Sequence, residues 1–214
     1  MYMKKEDIYD FLLRAAIPCI DEAKRLPEDL QWKRGKKEEK QSEDGYLSKK
    51  LVWECIARAH RDVLTGRKNV EEKYSSKKNE DGINVIALFL YNVIIKNPDK
   101  LSSKYLIDRL MNECEDCGIG VIQKLVNMTL KYMFILQLFD KLDGYIIAES
   151  SCDCPLDSRI LDSLGMSDLK WTKDFNASNR KESKKNYDII QGEIAKRQKG
   201  QSKLAYDFAN WQSF

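Results

Sequence analysis

The sequence predicts an all-α protein, and three observations carry that expectation. Apolar residues recur at helical spacing through nearly every segment of the 214-residue chain. No stretch alternates apolar and polar residues over the length of a strand, and there is no internal repeat. The periodic segments are also bounded by residues that start or stop helices, among them Ser102, Pro98 and Gly165.

Taken in order, Ile8, Phe11, Leu12, Ala15 and Ala16 mark a first helix that ends near Pro18, with a continuation at 20–26. Residues 32–45 are dense in charge and read as a solvated loop. Leu47, Leu51, Val52, Cys55, Ile56 and Ala59 define a helix with Ser48 as its cap. Residues 66–81 are polar and read as a loop. Residues 83–96 are strongly apolar and long enough for a helix, which stops at Asn97-Pro98. Ser102 or Ser103 caps a helix through Met111. Residues 118–140 form a central helix, alone or with a hairpin before it. A short helix over 155–164 ends at Gly165. Two further helices follow at 187–199 and 204–211.

A chain of this length suits one unit, 1–214, arranged as one large domain or as two small helical lobes around a cleft. Its 43% hydrophobic content is enough for a core, which argues against disorder throughout. The net charge of +3 is too small to prove a polyanion partner, but its distribution is uneven. Residues 170–203 hold ten Lys/Arg against four Asp/Glu, a surface able to hold phosphates. From charge alone, a solvated helix face is the better reading.

No secretory signal opens the sequence. The longest apolar stretch, 121–139, is interrupted by Gln123, Lys124, Asn127, Lys131 and Gln137, so no membrane span is expected. The six cysteines are then expected as thiols in a reducing cytoplasm. A single histidine, His60, excludes His-rich metal sites and reads as a surface residue. There is no G-x-x-x-x-G-K phosphate loop, no nucleophile elbow and no run of four close cysteines for an iron–sulfur cluster.

The chemistry-bearing candidates are few. Lys124 lies within an apolar helix, where burial of its charge is costly and should make the proton easier to lose. A neutral lysine amine is a nucleophile. Asp157 follows Cys154-Pro155-Leu156 at the start of a helix, where the positive helix end keeps a carboxylate ionised. Together they suggest amine chemistry at a carbon next to oxygen. Lys131 lies two turns after Lys124 on the same face, with Met128 between them. On spacing alone, a pair of snorkelling lysines at the edge of a core helix is the better reading, and Asp157 is equally ordinary as a first-turn charge. Asp207 and Trp211, at i and i+4, would share a helix face suited to reading and stacking a flat heterocycle. An anchoring Trp beside a solvated Asp is the composition's preference.

Cys114-x-x-Cys117 and Cys152-x-Cys154 make a candidate four-thiolate set for structural zinc. Free thiols packed near the hairpin are the favoured reading, with no cofactor.

Gln123-Lys124 in an apolar helix, a later Pro-x-Asp opening a helix, and a terminal Asp-x-x-x-Trp together resemble the helix-hairpin-helix DNA glycosylases. The likeness is greatest to the archaeal branch that acts on 8-oxoguanine. It is strong over 118–164 and 204–211 and vague over the first hundred residues, and it places the helix-hairpin-helix and catalytic segment at about 101–165. The resemblance implies a two-lobed helical fold with the active site in the cleft between lobes. It implies a base-excision repair glycosylase with AP lyase activity, acting as a monomer on double-stranded DNA that contains a damaged base, in the cytoplasm and at the nucleoid. Lys124 matches the Schiff-base lysine, Lys131 the second lysine on that helix, and Asp157 the catalytic aspartate. Asp207 and Trp211 match residues that hold the oxidised purine, with Trp53 a weaker match to a base-pocket tryptophan. Met128 stands where the family has an aromatic residue under the flipped base. Gly118 and Gly120 would offer backbone N–H groups to a DNA phosphate. The hairpin signal lies a few residues further ahead of the lysine than is common, and residues 140–154 form a large loop before the aspartate. These departures bear on substrate choice more than on fold. The alternative from another class is a non-catalytic helical DNA-binding or interaction protein on the same scaffold, with or without zinc; a glycosylase for another base is a third.

Overall fold

The computed structural model describes residues 43–65, 77–138, 142–171, 173–198 and 200–211. Seven α-helices carry the described chain: α1 (Glu43–Thr65), α2 (Lys77–Lys96), α3 (Ser103–Glu113), α4 (Ile119–Leu138), α5 (Ser158–Ser163), α6 (Arg180–Arg197) and α7 (Lys203–Trp211). Two 3-10 turns, Glu149–Ser151 and Ala177–Asn179, lie between them. There is no strand among the described residues, so the all-α expectation holds for them. The helix expected at 8–18 and most of the charged 32–45 segment lie outside the described residues.

The molecule is organised around α4. Every residue from Ile119 to Leu136 is buried. The helix packs most extensively along α1, and also against α3 and α6; α1 meets α2, α2 meets α3, and α7 joins α5 and α6. Burial on all sides explains the composition of α4, which is apolar around its whole circumference rather than along one stripe. At 20 residues it is long and apolar enough to cross a bilayer, contrary to the sequence expectation, yet all of its apolar window lies inside the fold. It is the core helix of the bundle.

The ends of the elements follow from local chemistry. Asn97 caps α2, its backbone N–H and its side-chain Nδ2 both donating to the Val93 carbonyl, and Pro98 then stops the helix. Ser102 is the N-cap of α3, its hydroxyl accepting the Tyr105 N–H at 3.2 Å. Helix α5 closes in a Schellman turn: Met166 N–H reaches the Leu161 carbonyl at 2.8 Å, Gly165 N–H reaches Asp162 at 2.9 Å, and Gly165 takes φ +76°.

Several boundaries differ from the sequence expectation. Helix α1 begins at Glu43, so residues 43–45 are helical. Ser48 lies within α1 rather than capping it, and its hydroxyl accepts the Asp143 N–H at 3.1 Å. Helix α2 begins at Lys77, inside the expected 66–81 loop. Helix α6 begins at Arg180 instead of 187. The stretch 180–186 is too polar to show an apolar period, but the Lys184–Asp188 pair at 2.6 Å supports it. Arg180 also donates to the Met111 carbonyl at 2.6 Å, tying the start of α6 to the end of α3.

Candidate active site

Residues 114–118 join α3 to α4 as a tight hairpin, and the two helices pack on each other. Gly118 and Gly120 are glycines because the segment that covers them comes too close for a side chain. A Cβ on Gly118 would lie 2.4 Å from the Phe175 carbonyl oxygen, and one on Gly120 would lie 1.9 Å from that of Trp171. The Gly120 N–H already donates to the Phe175 carbonyl at 3.0 Å, so it is not open to a phosphate. Both glycines are buried, and they allow Trp171, Phe175 and Asn176 to pack closely on the helix start.

Two turns of α4 then present the lysines. Lys124 Nζ donates to Asp157 Oδ2 at 2.8 Å, joining residues far apart in sequence, with Lys124 6% and Asp157 9% exposed. Asp157 is the N-cap of α5 rather than a residue within it. Its Oδ1 accepts the Ile160 N–H at 3.1 Å while Oδ2 faces the lysine. One carboxylate thus starts a helix with one oxygen and meets an amine with the other. Arg159 approaches the same Oδ2 at 3.4 Å. Burial alone would raise the Asp157 carboxyl. The adjacent Lys124 ammonium and its hydrogen bond, Arg159 and the Ile160 N–H outweigh burial and hold the group below the usual carboxylate range. The position expected for Asp157, at a helix start, is the one it occupies.

Lys131 is neither at the edge of the core nor snorkelling. It is 0% exposed, and its Nζ donates to Asp207 Oδ2 at 2.5 Å and lies 4.7 Å from the centre of the Phe208 ring. Burial lowers its ammonium below the ordinary lysine value; Asp207 offsets part of that, and the nearby Lys124 adds to it. Asp207 is likewise buried in contact with Lys131, not solvated. The two pairs sit near one thiol, Cys154. Burial first, then Asp207 and Asp157, push that thiol well up, against both lysines.

Met128 is buried on α4 between the two lysines. Trp53 is half-buried in α1 and packs edge-on against Tyr91, with ring centres 5.7 Å apart. The backbone of Trp211 ends α7, and its side chain lies outside the described residues. His60 is half-buried in α1.

The four candidate zinc thiols do not converge. Cys152 and Cys154 are buried, Cys114 and Cys117 are half-buried, and none of the four is in a disulfide. Among the described residues no three His, Cys, Asp or Glu side chains gather as a metal would need. Cys152 Sγ instead faces the Ala148 carbonyl at 3.6 Å, and burial pushes its thiol up to about 12.

Sequence reasoning missed the polar residues behind the site. Asn127, fully buried, donates to Gln123 Oε1 at 3.3 Å and to the Tyr187 hydroxyl at 3.0 Å. Tyr187 in turn donates to Asp153 Oδ2 at 2.7 Å, and Lys203 pairs with the other oxygen of Asp153. The one available signal was the presence of Gln123 and Asn127 on a helix with no polar face; polar groups there must find partners inside. Chemically, the arrangement offers a buried amine against an ionised carboxylate. Comparison with family models, curated proteins and solved structures gives no match to this chain.

Proposed function

We propose that this chain is a DNA glycosylase with AP lyase activity, removing 8-oxoguanine or a related oxidised purine through a Schiff base on Lys124. The observation that carries the reading is the Lys124–Asp157 pair, an amine 2.8 Å from a carboxylate held below its usual range.

In this reading the damaged base leaves the duplex stack and enters the site. As the bond from the sugar's anomeric carbon to the base breaks, positive charge develops on the sugar, and the Asp157 carboxylate stabilises it. Lys124 gives its ammonium proton to the departing base, and its neutral amine then bonds to that carbon and passes a further proton to the ring oxygen. Opening of the sugar ring gives an imine between Lys124 and the sugar. Loss of a proton from the neighbouring carbon expels the 3′ phosphate by β-elimination. Met128 and Trp53 supply apolar and aromatic surface toward the base, with Trp211 a stacking candidate by sequence. The excess of Lys/Arg over 170–203 suits phosphate contacts along the strand.

The test is borohydride trapping on a duplex oligonucleotide containing 8-oxoguanine. Wild type is expected to give a covalent adduct, and Lys124→Gln none. Asp157→Asn is expected to bind DNA but release base at least about 100-fold more slowly. An adduct that persists in Lys124→Gln, or no adduct in wild type, removes the reading.

A second reading has its own observation. Asp207, a proposed base reader, is buried and bonded to Lys131, and the Gly120 N–H is already taken by the Phe175 carbonyl. A non-catalytic DNA-binding protein on this scaffold accounts for that closure, and DNA binding without base release or trapping would select it.

A further inference from the structure

Between α4 and α5 the chain returns through residues 142–157 with only one 3-10 turn and no strand beside it. Backbone groups buried there need partners. At three residues a glutamine side chain supplies both partners, each in the same way. Gln137 accepts the Ile147 N–H at 2.6 Å and donates to the Ile147 carbonyl at 3.1 Å. Gln191 accepts the Cys154 N–H at 3.1 Å and donates to its carbonyl at 2.7 Å. Gln123 accepts the Leu156 N–H at 3.0 Å and donates to its carbonyl at 2.9 Å. A primary amide presents a carbonyl and an N–H side by side, as a strand edge does. Each glutamine therefore pairs with one backbone residue as a neighbouring strand would. The order is antiparallel to α4, with residue 147 beside the end of the helix and residue 156 beside its start.

We propose that Gln123 and Gln191 are positioning residues for Asp157: their paired amide clamps set the register of residues 154–156 and so hold the Asp157 carboxylate on Lys124. Asp157 follows directly on the clamped Leu156. A slip of one residue in an extended segment moves the chain by roughly 3.3 Å and turns alternate side chains to the opposite face. Either change breaks a 2.8 Å contact. Both clamping amides are buried, so neither can exchange its partner for water. Asn127 ties them together, donating to Gln123 on α4 and to Tyr187 on α6, the helix that carries Gln191. Gln137 closes the same kind of clamp, but at the far end of α4, roughly 20 Å from Lys124 at 1.5 Å per residue. It is an internal control.

The inference rests on Lys124 and Asp157 being the working pair of the site, but its test needs no nucleic acid. The Asp157 carboxyl is titrated by carboxyl-carbon NMR in wild type, Gln191→Met, Gln123→Met and Gln137→Met. Lys124 from α4, Arg159 and the Ile160 N–H from α5, and the Cys154 thiol face this carboxyl. The variants at 191 and 123 are expected to raise its midpoint by about one pH unit or more, because burial persists while the ion pair loosens. Gln137→Met is expected to lower Tm and leave the midpoint in place. An unmoved midpoint at both 191 and 123, or an equal shift at 137, overturns the proposal. Gln191→Glu serves if the methionine variant fails to fold. Its carboxyl, while protonated, offers the same acceptor and donor, so the Asp157 signal should match wild type there and depart as that carboxyl ionises. A signal indifferent to that ionisation also overturns the proposal. A shifted midpoint without base release keeps the clamp and removes the glycosylase reading; base release with an unmoved midpoint does the reverse.

Discussion

Lys131, in the middle of α4, and Asp207, in α7, form an ion pair in which the two side chains are 0% and 1% exposed. Burying two charges is costly, and their attraction repays it only while both are present. Lys131→Met or Asp207→Asn alone should therefore cost about 3–5 kcal/mol, because each strands or unbalances a buried charge. The double variant Lys131→Met/Asp207→Leu should cost less than the two singles summed. Urea unfolding checks this, and strictly additive losses would mean that the two groups do not depend on each other.

Acid stability should depend on Asp157. Its folded carboxyl lies below the ordinary value of 3.8, so the folded state binds fewer protons than the unfolded chain near that pH. The stability this contributes is complete above the ordinary value and is lost as pH falls through the lowered one. Asp157→Asn should flatten that part of the acid unfolding profile and lower stability at neutral pH. Equal pH dependence in variant and wild type would show that the carboxyl is not perturbed.

Glycine positions should split by sign. A methyl group at Gly120 meets the Trp171 carbonyl at 1.9 Å, and that neighbour is backbone. Gly120→Ala should destabilise by about 3 kcal/mol or prevent folding. Gly192, exposed in α6, has nothing within 4 Å of such a methyl. Gly192→Ala should stabilise by about 0.5–1 kcal/mol through helix propensity. Thermal melts of the two variants decide, and shifts of the same sign would contradict the packing of the hairpin.

Thiol reactivity should follow burial. Cys114 and Cys117 are half-buried and Cys55, Cys152 and Cys154 are buried; desolvation raises the thiols of Cys55, Cys114, Cys152 and Cys154. Iodoacetamide on the native protein should label Cys114 and Cys117 before Cys55, Cys152 and Cys154, read by peptide mass spectrometry. Early labelling of Cys154 would mean that the Lys124–Asp157 region opens readily.

Much of the local structure was legible in the residues. The all-α class, the stop at Asn97-Pro98, the Ser102 cap, the turn at Gly165 and the Lys124, Met128, Lys131 face of one helix all follow from spacing and from backbone preferences. Where local signal was weak, boundaries moved: α6 starts in a run of charged residues, and Ser48 resembles a cap although its hydroxyl serves a distant N–H.

Apart from the polar starts of α1, α2 and α6, local residue preferences set which described segments are helical and which side chains share a face, because both depend on the few dihedral choices of neighbouring residues. Tertiary structure alone decided which carboxylate meets which lysine. Lys124 pairs with Asp157 across 33 positions and Lys131 with Asp207 across 76. It also turned a face that spacing reads as wet into the centre of the core. This is because residues 119–136 of α4 are buried, so Lys124, Lys131 and Gln123 are satisfied by carboxylates and backbone brought from elsewhere in the chain rather than by water.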